Sequence, residues 1–296
     1  MSDLDPKAIF KMLADDIPKD LRAHMIVVGS LAAAYHFRAS LRRKAVNTKD
    51  ADVVVYPAGD VESVAALAAT LLDLGWRPTE QCRPMKKSKP AEALRAIRLY
   101  PPKSTTYFVE LLGLPKPSQR EPKAWTSVQL SDGWYGIPSF RYMALLARER
   151  CSTPEGIDHA HPSMMALANL LSHEEVGTQR MSGKIGERLI LRAAKDLGRV
   201  LALVWLAGRD DSATWLQPWR EGLRACFAKQ WRGLAKRAGA GLRDLLARPP
   251  ALEEARYAME VGLLSGKGVT VNGLAAIGQQ ILRDLIEPLG KLAALR

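Results

Sequence analysis

The run Met25-Ile26-Val27-Val28-Gly29-Ser30, followed by Leu31–Arg42 and by Lys49-Asp50-Ala51-Asp52-Val53-Val54-Val55, decides how this chain reads. Met25–Val28 is a short β-branched and apolar run, as in a buried strand. Gly29 and Ser30 close it and open a helix, because Leu31–Arg42 keeps its apolar residues on one face. A strand-Gly-Ser-helix turn offers unpaired N–H groups and the positive end of a helix dipole, a geometry that suits phosphate. Lys49–Val55 reads as the start of the next strand. Asp50 and Asp52 are two apart in it, so both side chains leave the same face. Carboxylates that close repel one another unless a cation sits between them. Oxygen ligands that leave room for substrate phosphates are what Mg²⁺ prefers.

Working outward, Val61–Leu74 is a helix stopped by Gly75, and Ala96–Tyr100 and Tyr107–Leu112 are further strands. Leu114–Lys123, with Pro115, Pro117 and Pro122, reads as a loop between a last pair of strands. Strands alternating with helices predict an α/β sheet. Glu110 lies inside the apolar strand Tyr107–Leu112, where a carboxylate is costly unless it faces a metal or a partner. Past Pro138 the strand signals stop. Helices are expected over Ser139–Arg150, with Ser139 as cap, and over Pro162–His173. A long one is expected over Lys184–Ala207, with Leu189, Ala193, Leu197, Leu201 and Val204 on its apolar face. Trp215–Leu246, Leu252–Leu264 and Asn272–Leu295 follow. The division is therefore expected at 138: residues 1–138 form an α/β domain, and 139–296 an all-α one.

Composition narrows the class. The 296 residues include 43 Lys or Arg against 31 Asp or Glu, a formal net charge of +12, and 47% are hydrophobic. Apolar residues are too frequent for a disordered chain. No run of about 18 uninterrupted apolar residues exists, so no membrane association is expected. The N-terminus has neither the basic start nor the apolar core of a signal peptide, so a cytoplasmic location is expected. Cys82, Cys151 and Cys226 lie far apart without a CxxC pair, which argues against a zinc site or a disulfide framework. The positive charge invites a polyanion. It gathers at Arg83, Lys86, Lys87 and Lys89, at Arg42–Lys44, and at Arg220, Arg224, Lys229, Arg232, Lys236 and Arg237. Trp215, Trp219 and Trp231, with Phe227, recur at helical spacing and are read as core. His36 is read as a packed histidine; His159 and His161 form a His-x-His beside Asp158, and with no Cys or further His near them in sequence no metal is expected there. Lys184 and Arg188 are read as a solvated helix stripe with Arg192.

Gly29-Ser30, then Asp50-x-Asp52 on the second strand, then Glu110 on a later one, resembles the nucleotidyltransferase superfamily with its DNA polymerase β-like fold. The likeness covers about residues 20–112. It implies a small mixed-sheet catalytic domain followed by a helical domain. It also implies Mg²⁺ held by Asp50, Asp52 and Glu110, and an NTP whose terminal phosphates meet Gly29 and Ser30. The segment between Ser30 and Asp50 is longer than in compact members. Arg192-Ala193-Ala194-Lys195-Asp196-Leu197 is similar to the Lys-Asp motif of abortive-infection nucleotidyltransferase toxins of the AbiEii type. That similarity implies phosphate contact for Lys195 and an organising role for Asp196. Where those proteins carry a further acid, this chain has Gly198 and Arg199. The implied reaction moves a nucleoside monophosphate from NTP to an acceptor hydroxyl. RNA, tRNA first, is the implied acceptor, in a toxin–antitoxin or phage-defence setting with a possible cognate antitoxin. The alternatives are a small-molecule nucleotidyltransferase of the antibiotic-modifying kind and a non-catalytic binding protein that keeps the fold.

Overall fold

The computed structural model describes residues 2–41, 45–86, 89–176, 179–181 and 183–295. It is a mixed α/β chain with a helical C-terminal region. Two compact units divide it: Met1–Tyr35 with Thr48–Ala160, and His36–Asn47 with His161–Arg296. The last boundary between the units falls at Ala160–His161, and Pro138 lies inside a strand of the first unit.

In chain order the first unit's elements begin with β1 (Ser2–Leu4), α1 (Pro6–Asp16), α2 (Lys19–Arg22), β2 (Met25–Val28) and α3 (Gly29–His36). The last residue of α3 already belongs to the second unit. β3 (Val46–Thr48), whose Val46 and Asn47 belong to the second unit, β4 (Asp50–Val55), α4 (Val61–Asp73), β5 (Arg77–Pro78), β6 (Arg98–Tyr100) and β7 (Phe108–Gly113) follow. Then come β8 (Lys123–Leu130), β9 (Gly133–Phe140), β10 (Arg150–Cys151) and β11 (Asp158–Ala160). Seven strands form one mixed sheet in the order β10-β11-β2-β4-β7-β6-β5. β2 runs antiparallel to β4, and β4 parallel to β7.

Local chemistry sets these elements. Asp5 caps α1 by accepting from the Lys7 amide, and Pro6 opens it. Asp60 caps α4 by accepting from the Ser63 amide at 2.9 Å. Val64, Leu67, Ala68 and Leu71 line that helix's buried face. β8 and β9 form a hairpin closed by Ser131-Asp132 ahead of Gly133, and Tyr135 Oη donates to Asp132 at 2.7 Å. Met85 and Trp134 exchange backbone hydrogen bonds, which docks the segment before β6 on this hairpin.

The expected helix over Ser139–Arg150 does not form. Ser139 ends β9, and its hydroxyl donates to Gln119 Oε1 at 2.8 Å instead of capping a helix. Only a 3₁₀ turn, Arg141–Leu145, follows, and β10 and β11 extend the sheet beyond Pro138.

The second unit is helical: α5 (Pro162–Val176), α6 (Arg192–Ala213), α7 (Leu216–Cys226), α8 (Trp231–Arg237), α9 (Ala240–Leu246), α10 (Pro249–Val261), α11 (Val271–Ile281) and α12 (Glu287–Ala294). α6 starts at Arg192, not Lys184, so Lys184 and Arg188 form no helix stripe. Gly186 has φ +55°, and a Cβ there would strike the Tyr257 hydroxyl. Arg188 stacks over the Tyr257 ring at 4.2 Å, and Leu189 is exposed rather than core. The run Trp215–Leu246 breaks into α7, α8 and α9. Trp219 is buried and donates through Nε1 to the Ser163 carbonyl at 2.9 Å, tying α7 to α5. Among the described residues no helix is long and apolar enough to cross a membrane.

Candidate functional site on the β2–β4–β7 face

The site grows from the register of three neighbouring strands. Val28, the last residue of β2, pairs with Asp52, and Asp52 pairs in turn with Glu110. Glu110 pairs with Arg98 on β6. Paired positions point to the same side of a sheet, so Asp52, Glu110 and Arg98 form one row across it. Asp50 and Phe108 form the next row. Every residue in these rows is half-buried, whereas the intervening Ala51, Val53, Val109 and Leu111 are buried on the other face. The structure therefore brings Asp50, Asp52 and Glu110 onto one face.

Gly29 fixes the approach of Asp52. Its φ is +74°, and a Cβ there would lie 2.8 Å from Asp52 Oδ2. Only a residue with no Cβ lets the carboxylate rest against the backbone in this left-handed conformation. Ser30 follows, half-buried, in the first turn of α3. Asp50 is oriented by Thr48, whose hydroxyl donates to Oδ1 at 2.6 Å.

Glu110 meets a cation rather than an open face. Arg98 Nη2 donates to Glu110 Oε1 at 3.1 Å, and Arg98 Nε lies 3.1 Å from Oε2 without the angle of a hydrogen bond. The Glu110 side chain is 12% exposed and that of Arg98 34%. Burial pushes the Glu110 carboxyl above its ordinary range, opposed by Arg98; Asp50 adds to the rise and Lys123 works against it. Arg98 also lies over the Phe108 ring at 5.4 Å, and Lys123 over Trp125 at 4.1 Å. The face thus carries three carboxylates and Arg98, with Lys123 of the separate β8–β9 hairpin acting on Glu110 through its charge.

As a donor set, Asp50 and Asp52 fit a hard divalent cation: two carboxylates on one strand face, next to a Gly-Ser helix start. A cleft of about 280 Å³ opens at the far ends of β4 and β7, beside Val55 and Gly113, with Gly59, Lys116, Gln119 and Trp125 in its wall. None of the three carboxylates lines it.

Lys195 and Asp196 belong to the second unit, half-buried in the first turns of α6 beside buried Ala194, Leu197 and Gly198. Gly198 has a packing reason to lack a side chain. A Cβ at Gly198 would come within 3.1 Å of the Ala255 carbonyl on α10. Arg83, Lys86 and Lys89 are exposed; Lys87 and the loop Arg42–Lys44 lie outside the described residues. His159 is buried against Phe10 and Tyr35, and His161 meets the Ser163 hydroxyl at 2.8 Å, so both have packed or hydrogen-bonded roles.

Sequence reasoning missed Arg98, Lys123 and Thr48. The legible sign for Arg98 is its alternation in Arg98-Leu99-Tyr100, a basic residue flanking a buried one. Its pairing with Glu110 depends on strand order, which that pattern does not carry. No protein-family model matches this chain, and comparison with curated proteins finds no match.

Proposed function

We propose that this chain is a Mg²⁺-dependent nucleotidyltransferase that moves a nucleoside monophosphate from NTP to the hydroxyl of an RNA, with tRNA the favoured acceptor. The observation that carries the reading is the seat of Asp52: its carboxylate lies against Gly29 at the start of α3, with Asp50 two residues earlier on the same face. Phosphate-binding backbone and metal-binding carboxylates then meet at one point of the fold.

In this reading Gly29 and Ser30 hold the terminal phosphates of the triphosphate. Asp50 and Asp52 hold Mg²⁺, with Thr48 orienting Asp50. Bound Mg²⁺ supplies neutralisation of the triphosphate charge and fixes its orientation. The acceptor oxygen attacks the α-phosphorus, the bond to the bridging oxygen breaks, and pyrophosphate leaves with its electron pair. Glu110 joins the metal ligands, or takes the hydroxyl proton, only on release from Arg98. Lys195 and Asp196 have roles only through the toxin-type resemblance; Lys195→Ala, assayed for transfer, tests them separately.

The decisive experiment incubates the protein with each labelled NTP, Mg²⁺ and total cellular RNA, and resolves the products on a gel. A labelled RNA band that Asp52→Ala abolishes supports the proposal. Mg²⁺-dependent nucleotide binding with no labelled RNA overturns the RNA acceptor in favour of a small-molecule one. Loss of nucleotide binding altogether leaves a non-catalytic binding protein.

A further inference from the structure

The tryptophans of the helical unit divide into two kinds. Trp215 and Trp219 are core, at 1% and 0% exposure, whereas Trp205 in α6 and Trp231 at the start of α8 are half-buried. Trp231 has cationic neighbours: the Arg224 guanidinium lies over its ring at 5.9 Å and that of Arg232 at 5.5 Å. Both separations are in the range of a cation–π contact, and the indole keeps part of its surface exposed.

Charge around this indole is one-sided. Residues 216–237 hold six basic side chains and one acidic, Glu221, which is engaged by Gln217. Arg224, Lys229 and Lys236 are exposed, and no described carboxylate lies within ion-pairing distance of them. Arg220 and Arg224 are spaced i,i+4 on α7, as are Arg232 and Lys236 on α8, and like charges at that spacing destabilise a helix. The helix dipole compensates Arg224 and Lys236 in last turns; it disfavours Arg232 in the first turn of α8, where Nη2 donates to the Leu295 carbonyl at 3.2 Å. An anionic partner would reverse the sign of all these costs. A regular row of phosphates interleaved with stackable rings matches both the cations and the half-open indole.

We propose that the exposed surface of α7, α8 and the turn between them docks single-stranded RNA, with Trp231 stacking on a base and Arg224, Lys229 and Lys236 meeting phosphates. The inference deepens the RNA-acceptor part of the function proposed above. Binding is measured without NTP or Mg²⁺, so its failure is distinguishable from a failure of nucleotide transfer.

The test uses the full chain and a fluorescein-labelled, mixed-sequence RNA of about 16 nucleotides, the upper end of typical single-strand site sizes. Binding is read by anisotropy across a salt series. Trp231→Leu is expected to weaken binding about tenfold with little change in salt slope, within the range for one stacked base. Trp231→Phe, which keeps a ring, should recover much of that loss. Arg224→Gln, Lys229→Gln and Lys236→Gln combined should lower the log–log salt slope by roughly 2, at about 0.7 per lost contact on a single strand. Far-UV dichroism and melting, recorded for each variant, separate lost contacts from lost folding. Unchanged affinity in Trp231→Leu, or an unchanged slope in the triple variant, overturns the proposal. So does inorganic polyphosphate binding as tightly as RNA and responding identically to every variant, which would mark a site for charge alone. Binding to phosphatidylserine vesicles without binding to RNA overturns it in favour of a membrane surface.

Discussion

Gly29→Ala is the sharpest perturbation of the candidate site, because the structure fixes even the sign of its effect. Gly29 opens α3, and at an ordinary helical position alanine would stabilise by about 0.5–1 kcal/mol. Here φ is +74°, where an L-residue costs roughly 1–2 kcal/mol. The new Cβ would also lie 2.8 Å from Asp52 Oδ2, so the carboxylate must retreat by several tenths of an ångström. With about 1 kcal/mol for that contact, typical of neighbouring residues that couple, the total is about 2–3 kcal/mol. Melting should then fall by roughly 4–12 °C. In the proposed function a displaced Asp52 should also cost transfer about tenfold or more, since misplacement by about 1 Å costs about a hundredfold. The assay is a double-mutant cycle by urea unfolding. In the Asp52→Ala background the contact is gone, and Gly29→Ala should cost only the backbone part, leaving a coupling of about 1 kcal/mol. An equal cost in both backgrounds would refute the seating of Asp52 on Gly29. A stabilising Gly29→Ala would refute the left-handed turn itself.

Asp50→Ala and Asp52→Ala should each abolish nucleotide transfer while urea unfolding stays cooperative; near-wild-type transfer in either would remove the metal pair. Glu110→Gln should slow transfer about a hundredfold, the scale of a positioned acid–base group. It also leaves the Arg98 guanidinium without its carboxylate; because Arg98 is a third exposed, the loss of stability should be about 1–2 kcal/mol, below the range for fully buried pairs. Asp60, whose carboxyl is held below its ordinary range by hydrogen bonds from Ser63, gives the pH test. Its capping contribution is complete above the ordinary aspartate range and is lost as pH falls through the depressed value. Asp60→Ala should therefore cost about 1 kcal/mol at neutral pH and nothing in strong acid, and a pH-independent cost would contradict the cap.

Where a chemical decision is local, the sequence carried it. Met25–Val28 has no polar residue, and it is the buried strand β2. The period-two spacing of Asp50 and Asp52 put them on one face without knowledge of the partner strands. Elsewhere a non-local partner overrode the local signal. Ser139 looks like a cap until Gln119 claims its hydroxyl. β10 and β11 are two and three residues long, too short for any period to register, and they exist because they pair with each other and with β2. Lys184–Leu191 carries helical spacing, yet Gly186 adopts a left-handed conformation against Tyr257 and delays α6 to Arg192. The indoles show the same limit: one spacing described Trp219 and Trp231, and only the break between α7 and α8 leaves Trp231 half-open.

The arrangement around Glu110 reaches beyond the three-acid pattern that first drew attention to it. Three carboxylates on one sheet face would carry −3, a charge that could justify two divalent ions. Arg98 sits in register with Glu110 on β6, and Lys123 lies within electrostatic reach of it. With those cations counted, the net is −1. The charge is also uneven: the cations gather at Glu110, while Asp50 and Asp52 stand on the strand that pairs with β2 and meets the Gly29-Ser30 turn. An Arg–carboxylate pair at 3.1 Å, most of it out of water, is broken only when both partners find replacements. A triphosphate is such a replacement for Arg98, since guanidinium binds phosphate as readily as carboxylate. Glu110 would be released toward a metal or an acceptor proton only as nucleotide took Arg98. In the function proposed above, the pair would therefore couple the third acid to nucleotide occupancy.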